Sequence, residues 1–178
     1  MRALPRCHTD GSPEPVASAT TLASAQIERA IARSTSSRYR RALLDLRRFA
    51  RTHETILRLG PTGTGKSSLA RLVHEMSPRR QHPIRIVNMA AIDGALAISE
   101  LFGHERGAFT GADRKRLGAC ASAHRGTLVL DEIGKSSIPV QQQLLDAIEH
   151  GQFFALGSDR ATFVDIRIVA AANESLDD

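Results

Sequence analysis

Gly60-Pro61-Thr62-Gly63-Thr64-Gly65-Lys66-Ser67 decides the reading of this chain. The stretch fits G-x-x-x-x-G-K-[ST], in which a glycine-rich turn lets successive backbone N–H groups close around phosphate oxygens at a helix N-terminus. Its flanks supply the strand and helix that this chemistry needs. Thr55-Ile56-Leu57-Arg58-Leu59 reads as a short strand, and Ser68 to Met76 as a helix with Leu69, Leu72, Val73 and Met76 on one face. Gly60, Pro61, Thr62, Gly63, Thr64, Gly65, Lys66, Ser67 and the adjoining Ser68 are therefore the candidate phosphate ligands. Lys66 would reach the β- and γ-phosphates of a nucleotide such as ATP, and the Ser67 hydroxyl would coordinate Mg²⁺.

The second half of such a site needs an acid for the metal shell and a base or orienting group for an attacking water. Gly126-Thr127-Leu128-Val129-Leu130-Asp131-Glu132 provides a continuous apolar strand ending in two acids, as expected of a parallel strand buried on both faces with carboxylates at its C-terminal edge. Asp131 and Glu132 are neighbours on a strand and point to opposite sides, so one of them can face the metal while the other faces the water. Ile84 to Asn88 reads as another strand, started by Pro83, and Asp165 to Ala172 as a fourth, with Asn173 at its end placed to hydrogen-bond the water or the γ-phosphate. Alternation of strands with helices predicts an α/β fold with a parallel sheet.

Other segments fill in the order. Met1 to about Thr20, with Pro5, Pro13, Pro15 and Gly11 among small polar residues, reads as a disordered leader. A weak helical pattern follows from Leu22 to Arg33 (apolar at Leu22, Ile27, Ala30 and Ile31), broken at Ser34 to Ser37. A stronger one carries Tyr39, Ala42, Leu43, Leu46, Phe49 and Ala50 at three- and four-residue steps. Arg40, Arg41, Arg47, Arg48 and Arg51 occupy its remaining surface, which reads as a wet basic face rather than a nucleic-acid contact. Helices are expected over Ala95 to Phe102, near Arg116 to His124, and from Pro139 to Glu149, where Gly151 stops the last. Gly157-Ser158-Asp159-Arg160 would turn a hairpin between Phe153–Leu156 and Thr162–Val164.

The 178 residues suit one domain, and 42 % hydrophobic with 24 % charged residues is ordinary for a soluble protein. The formal charge of +5 owes much to the arginines between Arg29 and Arg58. Cys7 and Cys120 are too few and too far apart for a zinc site or disulfide framework, so a reducing, cytoplasmic setting is expected. No apolar run approaches a membrane span and no secretory signal begins the chain.

Between Gly103 and Ala112 all periodicity stops. Glu100-Leu101-Phe102-Gly103-His104-Glu105-Arg106-Gly107-Ala108-Phe109-Thr110-Gly111-Ala112 closely resembles the signature loop of bacterial sigma-54-dependent transcriptional activators, which are AAA+ ATPases. The resemblance runs from about Ser36 to Leu176 and includes Val87-Asn88-Met89-Ala90-Ala91, Gly126 to Gly134 and Asp165 to Asn173. It divides the chain into a leader with a weak helix (1–35) and a partial AAA+ sigma-54 interaction domain (36–178) with a three-layer P-loop sheet. It implies that Gly107, Ala108, Phe109, Thr110, Gly111 and Ala112 form a loop moving with nucleotide state, with Phe109 and Thr110 touching sigma-54. Asp131 and Glu132 would be the Walker B pair, Asn173 the sensor, and Asn88 the residue restraining Glu132. The partner would be sigma-54 RNA polymerase holoenzyme, and the working state a homo-oligomeric ring. The Gly-Pro-Thr-Gly start of the P-loop is similar to activators of an RNA-repair operon.

Several positions depart from the family. It usually has Glu where Pro61 stands, Gly where Arg125 stands, Thr where Ala172 stands, and an apolar residue where Arg58 stands. An unpaired charge in the strand feeding the P-loop costs several kcal/mol unless it reaches water or an acid, and the simplest expectation is that Arg58 snorkels. Relative to complete activators the sequence also stops short of the arginine fingers, the fifth strand beside the P-loop strand, the helical lid and the DNA-binding domain. An arginine finger contributes roughly 10³–10⁵ in rate, so slow hydrolysis by this chain alone is expected. Two readings follow: the ATP-driven module of an activator that remodels sigma-54 polymerase, or a non-catalytic remnant that binds ATP or sigma-54 without turnover. An unrelated P-loop kinase would not require the loop.

Overall fold

Four short apolar runs pair side by side in a computed structural model of the chain, which describes residues 19–60, 66–92 and 94–173. The candidate ligands Pro61, Thr62, Gly63, Thr64 and Gly65, and the leader up to residue 18, lie outside the described residues. In chain order the elements are α1 (Ala19–Arg33), α2 (Ser37–Ala50), β1 (Ile56–Leu59), α3 (Lys66–Met76), β2 (Ile84–Asn88), α4 (Gly94–Phe102), β3 (Gly103–His104), β4 (Arg116–Leu117), α5 (Ala119–Ser122), β5 (Thr127–Asp131), α6 (Ile138–Glu149), β6 (Gln152–Phe154), β7 (Ala161–Phe163) and β8 (Arg167–Ala172). Short 3-10 turns follow β2 and β5, at Met89–Ala91 and Ile133–Lys135.

The main sheet has the order β1-β8-β5-β2 with every pair parallel. Its two central strands alternate between two cores, as a strand buried on both faces must. Leu128, Leu130, Ile168 and Ala170 meet Ala97, Leu101 and Phe102 of α4, Cys120 of α5, and Val140 and Leu144 of α6. Val129 and Val169 face the opposite way, onto Ala23 and Ile27 of α1, Leu43, Leu46 and Ala50 of α2, and Leu69, Ala70, Val73 and Met76 of α3. The result is three layers, helices on both sides of a parallel sheet. Burial pushes the Cys120 thiol up to about 12, which leaves it protonated and inert at neutral pH.

The amphipathic reading of α2 holds: Leu43, Leu46 and Ala50 are buried while Arg40, Arg41, Arg48 and Arg51 are exposed. α1 differs from its expected face. It begins at Ala19, earlier than expected, and buries Ala23 and Ile27, whereas Leu22 is exposed. The helix expected near Arg116 to His124 is also corrected. Arg116 and Leu117 pair with His104 and Gly103 as antiparallel β4 and β3, and only Ala119–Ser122 is helical. The local reason is Gly118, where a Cβ would lie 2.4 Å from the Leu101 carbonyl oxygen; the chain must run past α4 here before it can turn. The β6–β7 hairpin forms as expected, Gln152 pairing Phe163 and Phe154 pairing Ala161.

Arg125 adopts φ 64°, a left-handed conformation, while donating its backbone N–H to the Asp165 carbonyl at 2.6 Å. This explains why glycine suits the position. Its side chain is exposed, so Arg125→Gly removes only the backbone penalty, partly offset by the added freedom of the unfolded chain. The variant is expected to be more stable by about 0.5–1 kcal/mol, read as a raised urea midpoint at unchanged slope.

His74 gives the fold a pH dependence. It is buried in α3, with Nδ1 2.9 Å from Thr127 Oγ1, and desolvation, followed by the Arg167 charge, lowers its pKa below the usual imidazole value. The unfolded chain therefore binds this proton more readily than the native one, so stability rises with pH and is lost as pH falls below about 6.5. Thermal midpoints should drop between about pH 7.5 and pH 5.5, and the drop should shrink in His74→Gln.

Candidate functional site

Because β1, β8, β5 and β2 are parallel, their carboxyl ends share one edge of the sheet, and α3 begins there directly after the glycine-rich stretch. The edge collects Gly60, Lys66, Ser67, Asn88, Asp131, Glu132 and Asn173. Lys66, only 7 % exposed, donates from Nζ to the Gly60 carbonyl at 2.7 Å and to Asn173 Oδ1 at 2.6 Å. Asn173 in turn donates from Nδ2 to Glu132 Oε1 at 2.7 Å. In parallel, the Ser67 hydroxyl donates to Asp131 Oδ2 at 2.5 Å, and Asp131 Oδ1 accepts the Glu132 backbone N–H at 3.1 Å.

Two arms therefore meet at the end of β5. One holds an ammonium, an amide and a carboxylate in a row; the other sets a hydroxyl against a carboxylate. Glu132 stands between them at φ 57°. A left-handed non-glycine residue is strained, and such strain gathers at functional sites; here it lets consecutive acids leave β5 in different directions. Ser68 is exposed on the first turn of α3.

Asn88 is at this edge but makes a different bond from the one expected. It is in register with Asp131 on the neighbouring strand, but its Oδ1 accepts the Ala90 N–H at 3.0 Å and so caps the Met89–Ala91 turn. Glu132 is held by Asn173 instead. The bond to Glu132 assigned to Asn88 is thus made by Asn173 Nδ2 in this structure.

The 107–112 segment forms a self-bonded loop. Gly107 N–H donates to Ala112 O at 2.8 Å, Ala112 N–H to Phe109 O at 3.0 Å, and Ala108 N–H to Glu105 O at 3.2 Å. Phe109 and Thr110 are exposed between the exposed Gly107 and Gly111, while Ala112 is buried, so Phe109 and Thr110 are the non-glycine side chains available at the tip. β3 and β4 close the base, Lys115 pairs with Glu105 at 2.6 Å, and Arg116 forks onto Glu100. The β6–β7 hairpin docks on the entry side: Glu105 N–H donates to Leu156 O at 3.0 Å and Leu156 N–H to Gly103 O at 2.9 Å. A Cβ on Gly157 would lie 2.8 Å from that of Ala108. The sequence reading did not single out Ser99, His104 or Leu156 as supports of the loop. The one available signal was a histidine with a serine five residues earlier on a helix.

No helix of the described residues is long and apolar enough to cross a membrane. Comparison with known proteins places the chain. Residues 32–178 match the family described as the Sigma-54 interaction domain. The chain is 46 % identical over 129 residues to a Nif-specific regulatory protein of Azorhizobium caulinodans, covering 72 % of this chain and 21 % of that protein. It is 49 % identical over 121 residues to the regulatory protein LuxO of Vibrio cholerae, covering 68 % of this chain and 23 % of the relative. The chain thus spans about a fifth to a quarter of these curated relatives. Among solved structures, NtrX from Brucella abortus in complex with ATP superposes with a TM-score of 0.72 at 30 % identity, over 86 % of this chain and 34 % of that one, and the same protein with ADP gives equal figures apart from 33 % coverage. The strand order, the three layers and these matches together make the chain a member of the sigma-54-dependent activator family, with the AAA+ P-loop fold and a sigma-54 interaction domain.

Proposed function

We propose that this chain binds ATP at the carboxyl edge of its sheet and couples hydrolysis to remodelling of sigma-54 RNA polymerase through the 107–112 loop. The observation that carries the reading is the pair of arms at the end of β5: Lys66 to Asn173 to Glu132, and Ser67 to Asp131. Lys66, held by short bonds, supplies a fixed positive charge for the terminal phosphates. Glu132, oriented by Asn173, is the acceptor that would take the proton of an attacking water, and the Asn173 amide orients it. The solved complexes of NtrX with ADP and ATP support a nucleotide in this fold.

The residues present fit Mg²⁺. A hydroxyl and a carboxylate oxygen 2.5 Å apart at the start of α3 are hard donors of the kind this ion takes, with phosphate and water completing its shell. Bound there, the metal would neutralise charge on the phosphates. Phe109 and Thr110, exposed at the loop tip, are the residues proposed to touch sigma-54, and ring formation by further copies belongs to the same proposal.

The test is a titration with a fluorescent ATP analogue, followed by phosphate release over rising protein concentration. Lys66→Ala is expected to weaken nucleotide binding by about 10- to 100-fold, the loss of charge-assisted hydrogen bonds. Glu132→Ala should retain binding and abolish any turnover. Binding in the wild type with no turnover at any concentration would instead assign the chain to nucleotide or sigma-54 binding without catalysis. Absence of binding in the wild type would overturn the reading.

A further inference from the structure

We infer that His104 is the positioning residue of the 107–112 loop, tying both the loop's exit and its Phe109 ring to α4 so that the tip is presented in one pose. The inference rests on reading that loop as a sigma-54 contact and names what sets its geometry. His104 ends β3 and is 7 % exposed. Its Nδ1 lies 2.7 Å from the hydroxyl of Ser99, a buried residue of α4, and its Nε2 lies 3.1 Å from the Arg114 carbonyl oxygen. Its ring meets Phe109 edge to face, with centroids 5.0 Å apart and planes at 72°.

These partners define one tautomer. A carbonyl can only accept, so Nε2 carries the hydrogen and donates to Arg114, and Nδ1 is left to accept from the Ser99 hydroxyl. A single side chain thus joins three segments: α4 through Ser99, the loop exit through Arg114, and the loop tip through Phe109. The β6–β7 hairpin holds the loop's entry through Leu156 and Gly157, whereas His104 alone of these contacts reaches the exit and the Phe109 ring. The backbone bonds within 105–112 fix the loop's internal shape but not its tilt on the domain. The Lys115–Glu105 pair lies at the surface, where an ion pair holds little, and the forked Arg116–Glu100 pair fastens β4 to α4 rather than the loop tip. The edge-to-face contact also depends on ring orientation, which the two buried hydrogen bonds set. A small aliphatic side chain at 104 would leave the Arg114 carbonyl without this donor and Phe109 free to turn.

The full chain carrying para-fluorophenylalanine at position 109 gives a direct readout by fluorine NMR, alongside affinity for isolated sigma-54 and for a fluorescent ATP analogue. His104→Ala is expected to move and broaden the fluorine signal and to weaken sigma-54 binding about tenfold or more, with nucleotide affinity unchanged. His104→Gln keeps an N–H for Arg114 and should recover part of the sigma-54 affinity while the fluorine signal stays displaced, a split that mere loss of fold does not produce. If His104→Ala does not fold, Ser99→Ala, which removes only the tie to α4, carries the same comparison. A fluorine signal identical to wild type, or unchanged sigma-54 affinity where wild type binds, would overturn the inference. Failure of the wild type to bind sigma-54 would sink the sigma-54 reading, and the fluorine comparison alone would then decide whether His104 positions the loop.

Discussion

Replacing Arg167 by methionine is expected to destabilise the protein by about 3–5 kcal/mol, a large share of the 5–15 kcal/mol that separates folded from unfolded domains. Arg167 opens β8 and is 1 % exposed, the largest fully buried side chain among the described residues. It has no acid partner at hydrogen-bond distance among the described residues. Instead its guanidinium closes the end of α2, donating from Nη1 to Ala50 O at 2.8 Å, from Nη2 to Phe49 O at 2.6 Å, and from Nε to Glu54 O at 3.2 Å. Desolvation, and then the nearby Arg79, lowers its pKa from the ordinary value. A buried cation can be replaced without loss when its partners are replaced too. Here the partners are main-chain carbonyls that no mutation removes, at a helix C-terminus where the dipole already favours positive charge. Methionine keeps most of the volume and none of the donors. Urea and thermal unfolding would check this; a thermal midpoint within a degree or two of wild type would show that water satisfies these carbonyls unaided.

Arg58→Met is expected to act in the opposite direction, stabilising by about 1–3 kcal/mol. Arg58 is half-buried, and the expectation that it snorkels is met only in part, because its Nη1 is out of solvent and has no hydrogen-bond partner. Burial lowers the pKa of the guanidinium, with Tyr39 opposing the shift. Asp45 and Glu54 line the same groove of about 690 Å³ between α2 and β1, yet no ion pair forms with either among the described residues. Methionine would fill the volume without stranding a donor. A second effect should follow, because among the described residues β1 is bonded only to β8 within the sheet and its own Leu57 and Leu59 are exposed. A charge on an edge strand discourages pairing between copies, so the variant should unfold at higher urea yet scatter more light when concentrated. A lower urea midpoint would show that the guanidinium is paired in solution and sink the argument.

The two arginines show what could be read in advance. Arg58 stood out because it interrupts an apolar strand beside a recognisable motif. Arg167 interrupts one just as plainly, between Ile166 and Ile168, but its partners Phe49, Ala50 and Glu54 lie more than a hundred residues away, and nothing local points to them. The order of strands and helices, the acids at the end of β5 and the asparagine after β8 were legible, because each rests on short-range periodicity or a strand terminus. The roles of Asn88 and Asn173 were not separable that way. Asn88 ends β2 and Asn173 follows β8, both strands flank β5, and nothing local shows which of the two side-chain amides reaches Glu132. The β3–β4 pairing was missed because two-residue strands carry no period, and the His104 contacts because they join three segments at once.

The short bonds around Lys66 also bear on how affinity should be interpreted. Its ammonium already donates to Gly60 and Asn173, so a phosphate that displaced the Asn173 bond would trade bonds rather than add them, and the heat released would be the difference between two well-made sets. The same trade would free the Asn173 oxygen and loosen that amide's hold on Glu132. On the proposed reading, a calorimetric titration would therefore understate the grip on the terminal phosphate, and the shortfall would measure what the protein spends on rearranging its own acid.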